Sequence, residues 1–319
     1  MGINKIAIIN GSDIEKSMSI AAASWDHIRS FLAVLEEGSL SRAARSLSLT
    51  QPTLSRHIDL LEASLGGPLF TRSPRGLLPT DKARMIEPYA RTIAASAAAM
   101  VRAASGPLNE MTGAVRISAS EVVGIELLPG MLAPLREAHP GLSFELLPTN
   151  QSSDLLRRDA DIAIRMVRPQ QGALLAQKVG NVELGLFARR DYLARYGTPK
   201  RLSEMSGHAL IGFDHETVSV QALRAMGLTL DRADFAWRSD SDLAQLKLVM
   251  AGAGIGVCQA GLARRDGGMV RLVPEEFSFG LETWVTMHEE LKGVARMKAT
   301  FDHLVEAMSL YIREQESPA

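Results

Sequence analysis

The apolar residues of this chain keep a helical spacing as far as residue 104 and then change pattern. That confines the fold to a helical N-terminal part followed by a part in which strands alternate with helices. Gly106-Pro107 and Gly113 punctuate the change. The length of 319 residues agrees, since roughly 100–200 residues make a domain. The charge divides at the same place: residues 25–107 carry ten Lys/Arg against seven Asp/Glu, and residues 108–319 carry 23 against 27. With a net charge of −1 the chain is no general polycation, so only a local basic patch can face a polyanion. A hydrophobic content of 46% is enough for packed cores and excludes disorder throughout. The single cysteine, Cys258, can build neither an intramolecular disulfide nor a Cys-based zinc site, which suits a reducing compartment.

Ile6-Ala7-Ile8-Ile9 is too short for the apolar region of a signal peptide, and Asn10, Asp13 and Glu15 come soon after it. The longest small and apolar stretch, Ile93 to Val101, contains Ser96 and is too short to span a bilayer. The chain is therefore expected to be cytoplasmic, without a membrane partner. Met18 stands just before the first patterned segment, so residues 1–17 read either as an extension or as sequence ahead of the true start.

Ile28, Phe31, Leu32 and Leu35 predict one buried helical face, closed by Gly38. Ser41 is read as the N-cap of a short helix carrying Ala43, Ala44 and Leu47. Ser48-Leu49 is a tight link, and Thr50 caps a third helix with Pro52 in its first turn. Its buried stripe is Leu54, Ile58, Leu61 and Leu65, and Gly66 stops it. Two short helices so joined form a helix-turn-helix, and small Ala43 and Ala44 permit close approach. Gln51, Thr53, Ser55 and Arg56 then stand near the N-terminus of the second of them, the residue types that read base edges and phosphates. Taken alone, such a face is equally well a solvated one.

The next segment favours a nucleic-acid partner. Leu69-Phe70-Thr71-Arg72-Ser73-Pro74-Arg75-Gly76 reads as a strand and a turn, the layout of a wing, with Arg72 and Arg75 set to meet phosphates or a minor groove. From Thr80-Asp81 a long helix begins. Its Ile86, Ala90, Ile93, Ala97, Met100 and Ala104 step by four and three in turn, the 3.5-residue period of a coiled-coil seam. A dimer through this seam is expected; the competing reading is packing against its own domain.

Residues 25–107 resemble the DNA-binding domain and linker helix of LysR-type transcriptional regulators. The likeness rests on Phe31 to Leu47, Thr50-Gln-Pro-Thr-Leu-Ser-Arg-His-Ile58, Leu61-Glu-Ala-Ser-Leu-Gly66 and Leu69-Phe-Thr-Arg72. The extension, Gly66-Gly67, and Ala83 where the family often has Gly are departures. The resemblance implies a mixed architecture. An extension (1–23) precedes an all-α winged helix-turn-helix (24–80) and a dimerisation helix (81–107). An α/β effector domain (113–308) of the periplasmic-binding-protein type completes it. It would comprise subdomain I (113–184 and 276–308) and subdomain II (185–275), with chain crossings near 184 and 275. On this basis the DNA-facing set is Ser41, Arg42, Thr50, Gln51, Pro52, Thr53, Ser55, Arg56, Arg72 and Arg75. The implied partners are double-stranded promoter DNA, a small-molecule effector, a second copy of the chain, pairs of dimers forming a tetramer, and RNA polymerase.

In the second part, Val115–Ser120, Leu142–Leu147 and Asp161–Arg165 read as strands around a helix over Leu127–Ala138. Leu184–Ala188, Ala209–Phe213 and Ile255–Cys258 are further strands, with helices near 191–196, 217–226 and 240–251. The alternation predicts a parallel sheet, whose ligands bind beyond the carboxyl ends of strands. Ser118, Ser120, Glu121, Arg165 and Arg168 lie there, and Ser239, Asp240 and Ser241 stand at a helix start that suits an anion. The expectation is a cleft for a small, carboxylated molecule; singly, these serines serve equally well as caps and these arginines as surface charge.

Gly252-Ala253-Gly254-Ile255-Gly256 comes after a helix and precedes a strand, the reverse of a dinucleotide fingerprint, and reads as a helix end and a tight turn. No phosphate-loop, zinc-protease or nucleophile-elbow motif occurs, and the seven histidines are scattered. No catalytic residue, metal or cofactor is assigned. Cys258 reads as a small core residue. A solute-binding protein without a DNA role is the alternative; it accounts for residues 113–305 but leaves the helix-turn-helix and wing unexplained. An enzyme would need a nucleophile, a base and an orienting group, which nothing here assembles.

Overall fold

The computed structural model describes residues 24–74, 76–104, 107–150, 159–169, 174–215 and 231–316. They fall into two compact units divided between Met100 and Val101, with Asp159 grouped with the first.

In the first unit, α1 (Trp25–Glu37), α2 (Leu40–Ser46) and α3 (Gln51–Leu65) close around Phe31, Val34, Ala43, Ala44, Leu54, Ile58 and Leu61. The cap of α2 is Ser39, without a side-chain bond, and Ser41 lies inside the helix, correcting the cap expected there. Its hydroxyl instead donates to Gln51 Oε1 at 2.8 Å, tying α2 to α3. Ser48 takes a left-handed conformation (φ 56°) in the tight link, with Leu49 N–H bonded to Ala44 O at 2.8 Å. Thr50 caps α3 as expected, accepting from Thr53 N–H at 3.3 Å. Leu65, expected in the buried stripe, is 38% exposed, because the helix ends at Gly66 beyond the reach of α1 and α2.

The wing is the hairpin β1 (Phe70–Ser73) and β2 (Gly76–Pro79), paired antiparallel. Glu62 near the end of α3 accepts the backbone N–H groups of Leu69 and Phe70 at 2.6 and 3.3 Å. Gly76 takes φ 120°, and a Cβ there would sit 2.5 Å from Gly38 O. Leu77 N–H bonds that same carbonyl at 2.9 Å, so the wing is seated on the α1–α2 turn.

Helix α4 (Asp81–Ala103) starts at Thr80, whose hydroxyl oxygen accepts Ala83 N–H at 3.2 Å. It ends earlier than the expected 107, and Ala104 lies in a turn beyond it. Part of the expected seam is occupied within its own unit: Ala90 is buried in the core of α1–α3 and Ile86 packs against it. The exposed apolar face instead presents Met85, Tyr89, Ile93 and Met100.

The second unit is built on one seven-stranded sheet. β3 (Gly113–Ala119) lies parallel between β4 (Leu142–Pro148) and β5 (Ile162–Arg165). β6 (Leu174–Arg189) is a 16-residue strand, far longer than the expected Leu184–Ala188. It pairs antiparallel with β11 (Ser278–His288), β9 (Gly256–Gln259) and β10 (Met269–Leu272). The sheet is therefore mixed and not wholly parallel, because the two long strands run side by side in opposite senses. β11 also pairs with β5, so β6 and β11 carry the chain from one core to another.

The first lobe packs α5 (Leu128–Ala138), entered through a π-turn at Val123–Leu127, and α9 (Ala295–Glu316) around Ile117, Ile162, Val285 and Phe301. The second lobe holds α6 (Arg190–Tyr196), β7 (Leu210–Gly212), β8 (Phe235–Arg238), α7 (Asp242–Met250) and α8 (Ala260–Asp266) around the end of β6. The helix expected near 217–226 lies outside the described residues. Gly252 takes φ 72° just past α7, and a Cβ on Gly254 would meet Ala209 O at 2.1 Å. The glycine run is thus the helix end and tight turn read from the sequence. No helix among the described residues is long and apolar enough to cross a membrane.

Candidate DNA-binding and effector sites

On α3, burial of Leu54, Ile58 and Leu61 turns Gln51, Pro52, Thr53 and Arg56 outward, with Ser55 half-buried. Arg56 makes no hydrogen bond or ion pair with another described residue, nor does Arg72 on the exposed side of β1, so both guanidinium groups face solvent. Arg42 differs: it donates to Glu37 O and pairs with the Glu37 carboxylate at 3.5 Å, so part of its charge is spent inside the chain. Arg75 lies outside the described residues. His57, one step beyond Arg56, meets buried Ser30 through Nδ1 at 2.8 Å and therefore fixes α3 on α1.

In the second unit, the carboxyl ends of β3, β4 and β5 lie side by side in the parallel part of the sheet. Ser118 is fully buried and accepts from Arg165 Nη2 at 2.6 Å. Arg168 lies with its guanidinium 6.0 Å from the centre of the Trp284 ring, and Trp284 is the β11 neighbour of Arg165. The half-buried Ser120 hydroxyl has no partner among the described residues. Glu121 receives Asn150 through its backbone N–H, bonded to Asn150 Oδ1 at 3.1 Å.

The start of α7 faces this edge from the other lobe. Ser241 caps the helix by accepting Ala244 N–H at 3.3 Å, and donates its own hydrogen to Glu121 Oε2 at 2.8 Å. Asn150 Nδ2 donates to Asp242 Oδ2 at 3.1 Å, and Lys247 reaches Glu126 at 2.6 Å. Three polar contacts therefore bridge the lobes. Burial, reinforced by the charge of Glu121 and opposed by the Asn150 hydrogen bond, raises the Asp242 carboxyl above its ordinary range.

The expected residues do not all meet. Ser239 is spent locally: its hydroxyl accepts Ser241 N–H at 3.2 Å and its carbonyl accepts Gln245 Nε2 at 2.7 Å. Asp240 turns to the 214–215 loop, where it accepts the N–H groups of Asp214 and His215, both at 3.0 Å, and His215 Nδ1 at 2.6 Å. Asn150 and Asp242 were missed. The rule that selected Ser118 and Arg165, a position just past the carboxyl end of a strand, also selects Asn150 once β4 is included. Asp242 sits one residue beyond Ser241.

Cys258 is buried, and that burial pushes its thiol up to about 12, so it remains a protonated core side chain. Among the described residues no three His, Cys, Asp or Glu side chains gather to hold a metal ion.

Comparison with known proteins agrees with a helix-turn-helix region followed by an effector domain. Residues 25–84 match the family described as bacterial regulatory helix-turn-helix protein, lysR family, and residues 109–309 match the LysR substrate binding domain. The chain is similar to the HTH-type transcriptional regulator CrgA of Neisseria meningitidis serogroup C (strain 8013), 26% identical over 284 residues, which cover 87% of this chain and 95% of that protein. In fold it is similar to full-length CbnR complexed with its target DNA, with a TM-score of 0.61 at 20% identity over 89% of this chain and 99% of that one. It is also similar to full-length AphB, a Vibrio cholerae virulence activator, with a TM-score of 0.57 at 21% identity, again over 89% and 99%.

Proposed function

This chain belongs to the LysR family of DNA-binding transcriptional regulators with an effector-binding domain, and on that premise we propose that a small anionic effector between its two lobes switches its binding or bending of promoter DNA. The observation that carries the DNA half is the outward N-terminal turn of α3, where Gln51, Thr53 and solvent-facing Arg56 stand beside a wing carrying solvent-facing Arg72. Arg56 reads a base edge in the major groove, and Arg72 contacts phosphate beside it. Two copies joined through α4 present two such helices to a near-palindromic site. Two dimers joined through their effector domains bend the DNA, in the cytoplasm and within reach of RNA polymerase.

The cleft supports a particular kind of effector. Arg165 and Arg168 provide positive charge beside Ser118 and Ser120, which suits one carboxylate. Glu121, next to Ser120, and Asp242 across from it on the other lobe add negative charge where the lobes meet, so a second negative charge there would be repelled. A monoanion whose far end is neutral or donates hydrogen bonds fits this arrangement of charge. Its binding favours one of two pre-existing spacings of the dimers.

The test is fluorescence anisotropy with the DNA just upstream of the chain's own gene, against scrambled DNA over a salt series, with and without Arg56→Ala. The expected result is selective binding that Arg56→Ala weakens by about 1–3 kcal/mol. A uniform loss on both DNAs would assign Arg56 to phosphate. Binding equal on both DNAs and erased by modest salt would overturn sequence-specific recognition of that site.

A further inference from the structure

The last turn of α4, from Val101 onward, belongs to the second unit and is held there by a buried ion pair. Arg102 Nε donates to Asp161 Oδ2 at 3.0 Å and Arg102 Nη2 to Asp161 Oδ1 at 3.2 Å, and both residues are buried. The same Oδ2 accepts the backbone N–H of Arg116 on β3 at 2.8 Å. Buried Arg296, in the first turn of α9, donates through Nη2 to Arg102 O at 2.8 Å, satisfying a carbonyl that the helix end leaves open.

Asp161 stands immediately before β5, and Arg165 closes that strand at its other end. Between them Ile162, Ala163 and Ile164 are buried, with β3 on one side and β11 on the other. At about 3.3 Å per residue the two ends are roughly 13 Å apart. A short strand close-packed within a core is displaced as a unit. Arg165 meanwhile holds Ser118 at the edge of the cleft. One short strand thus joins the cleft to the end of the helix that leads from the DNA-binding unit.

Stability alone does not account for such a pair, since buried ion pairs are often no more stabilising than apolar side chains of similar size. We propose that Arg102 and Asp161 are positioning residues which carry the state of the cleft through β5 to α4. The proposal rests on the cleft being the effector site, and requires the coupling to run equally in both directions. DNA bound at α3 must therefore alter the cleft end of β5, which can be observed without knowing the effector.

The chain has three tryptophans, Trp25, Trp237 and Trp284, and Trp284 lies opposite Arg165 in the β11–β5 register. Trp25→Phe with Trp237→Phe leaves Trp284 as the reporter. Upstream DNA is titrated into this parent while anisotropy tracks binding and emission tracks Trp284. The expected result is a Trp284 shift that saturates with the DNA. In Arg102→Met/Asp161→Asn, where the Asn oxygen still accepts Arg116 N–H, DNA affinity stays within about twofold and the shift falls by half or more. Arg102→Lys, which keeps a charge-assisted bond, restores part of it.

An undiminished shift in the paired variant overturns the proposal, as does a parent whose Trp284 ignores saturating DNA. Absence of binding in the anisotropy signal overturns the promoter-binding reading together with it. If the paired variant does not melt cooperatively, hydrogen exchange on the unaltered chain decides. DNA must change exchange at 162–165 together with 99–103, and unchanged exchange at 162–165 overturns the coupling.

Discussion

The hydroxyl of Ser241 donates to Glu121 Oε2 at 2.8 Å, joining residues 120 positions apart on opposite lobes of the effector domain. The same carboxylate raises Asp242 by its charge, after burial, the larger cause. Glu121→Gln keeps an acceptor for Ser241 and removes the charge. The Asp242 carboxyl is then expected to titrate lower than in the parent but still above its ordinary range, because burial remains. Carbon-detected NMR of the Asp side chains checks this; an unmoved Asp242 would show that the two carboxylates do not interact. A raised carboxyl value means that the folded chain holds the proton more tightly than the unfolded chain. Asp242 therefore lowers stability at neutral pH, and this penalty shrinks as pH falls through its raised value.

Gly76→Ala tests the seat of the wing. The residue takes φ 120°, and its new Cβ would lie 2.5 Å from a backbone oxygen that cannot yield cheaply. A loss of about 2–3 kcal/mol is expected in urea unfolding, from strain and clash together. If Arg72 contacts phosphate from a correctly seated wing, the salt slope of DNA binding also falls by about one. An unaltered slope would remove Arg72 from the interface.

The face of α4 decides the dimer. Met85 and Tyr89 are 70% and 71% exposed within one chain, and continue through Ile93 to Met100. A face this apolar is expected to be covered by a second copy. Tyr89→Lys should weaken the dimer by about 2 kcal/mol or more, some thirtyfold in dissociation constant, if the ring is an anchor. Sedimentation equilibrium measures it. An unchanged constant would move the interface off this face.

That face also marks how far the sequence could be read. The helix-turn-helix was legible because its determinants are local: Phe31, Leu54 and Ile58 repeat at helical spacing, Thr50 caps, and Gly38 and Gly66 stop. The 3.5-residue step along α4 was real, but periodicity does not say which partner a stripe meets. Ala90 and Ile86 meet α1–α3, leaving Met85 and Tyr89 for the outside. The long strands were less legible still. The stretch Gln177-Lys178-Val179-Gly180-Asn181 is polar and carries a glycine, so nothing local marks it as strand. It is held by pairing with β11, a hundred residues on, including the Lys178–Glu282 ion pair. In the effector domain, Ser118 and Arg165 stand at strand ends where the sequence places them, whereas Asp240 turns its carboxylate to the 214–215 loop. Its neighbour Ser241 caps α7, while its own carboxylate serves a loop that adjacency could not reveal.

The loop that Asp240 serves carries a pH dependence of its own. The Asp240 hydrogen bond and charge, aided by Asp214, hold the His215 imidazolium above its ordinary range. The His215 backbone and side-chain hydrogen bonds hold Asp240 below its own. A raised histidine value means that the attraction is present below the ordinary His value and is lost as pH rises through the raised one. A depressed aspartate value means that it is lost again as pH falls through that value. The 213–215 turn is therefore best ordered between the two, over the mildly acidic to neutral range, and loosens above it. Proton NMR should place the His215 midpoint above 6.5, with Asp240→Asn returning it toward that figure. Because the pair stands in solvent, added salt should also reduce the shift. A His215 midpoint that Asp240→Asn leaves in place would dissolve the pair.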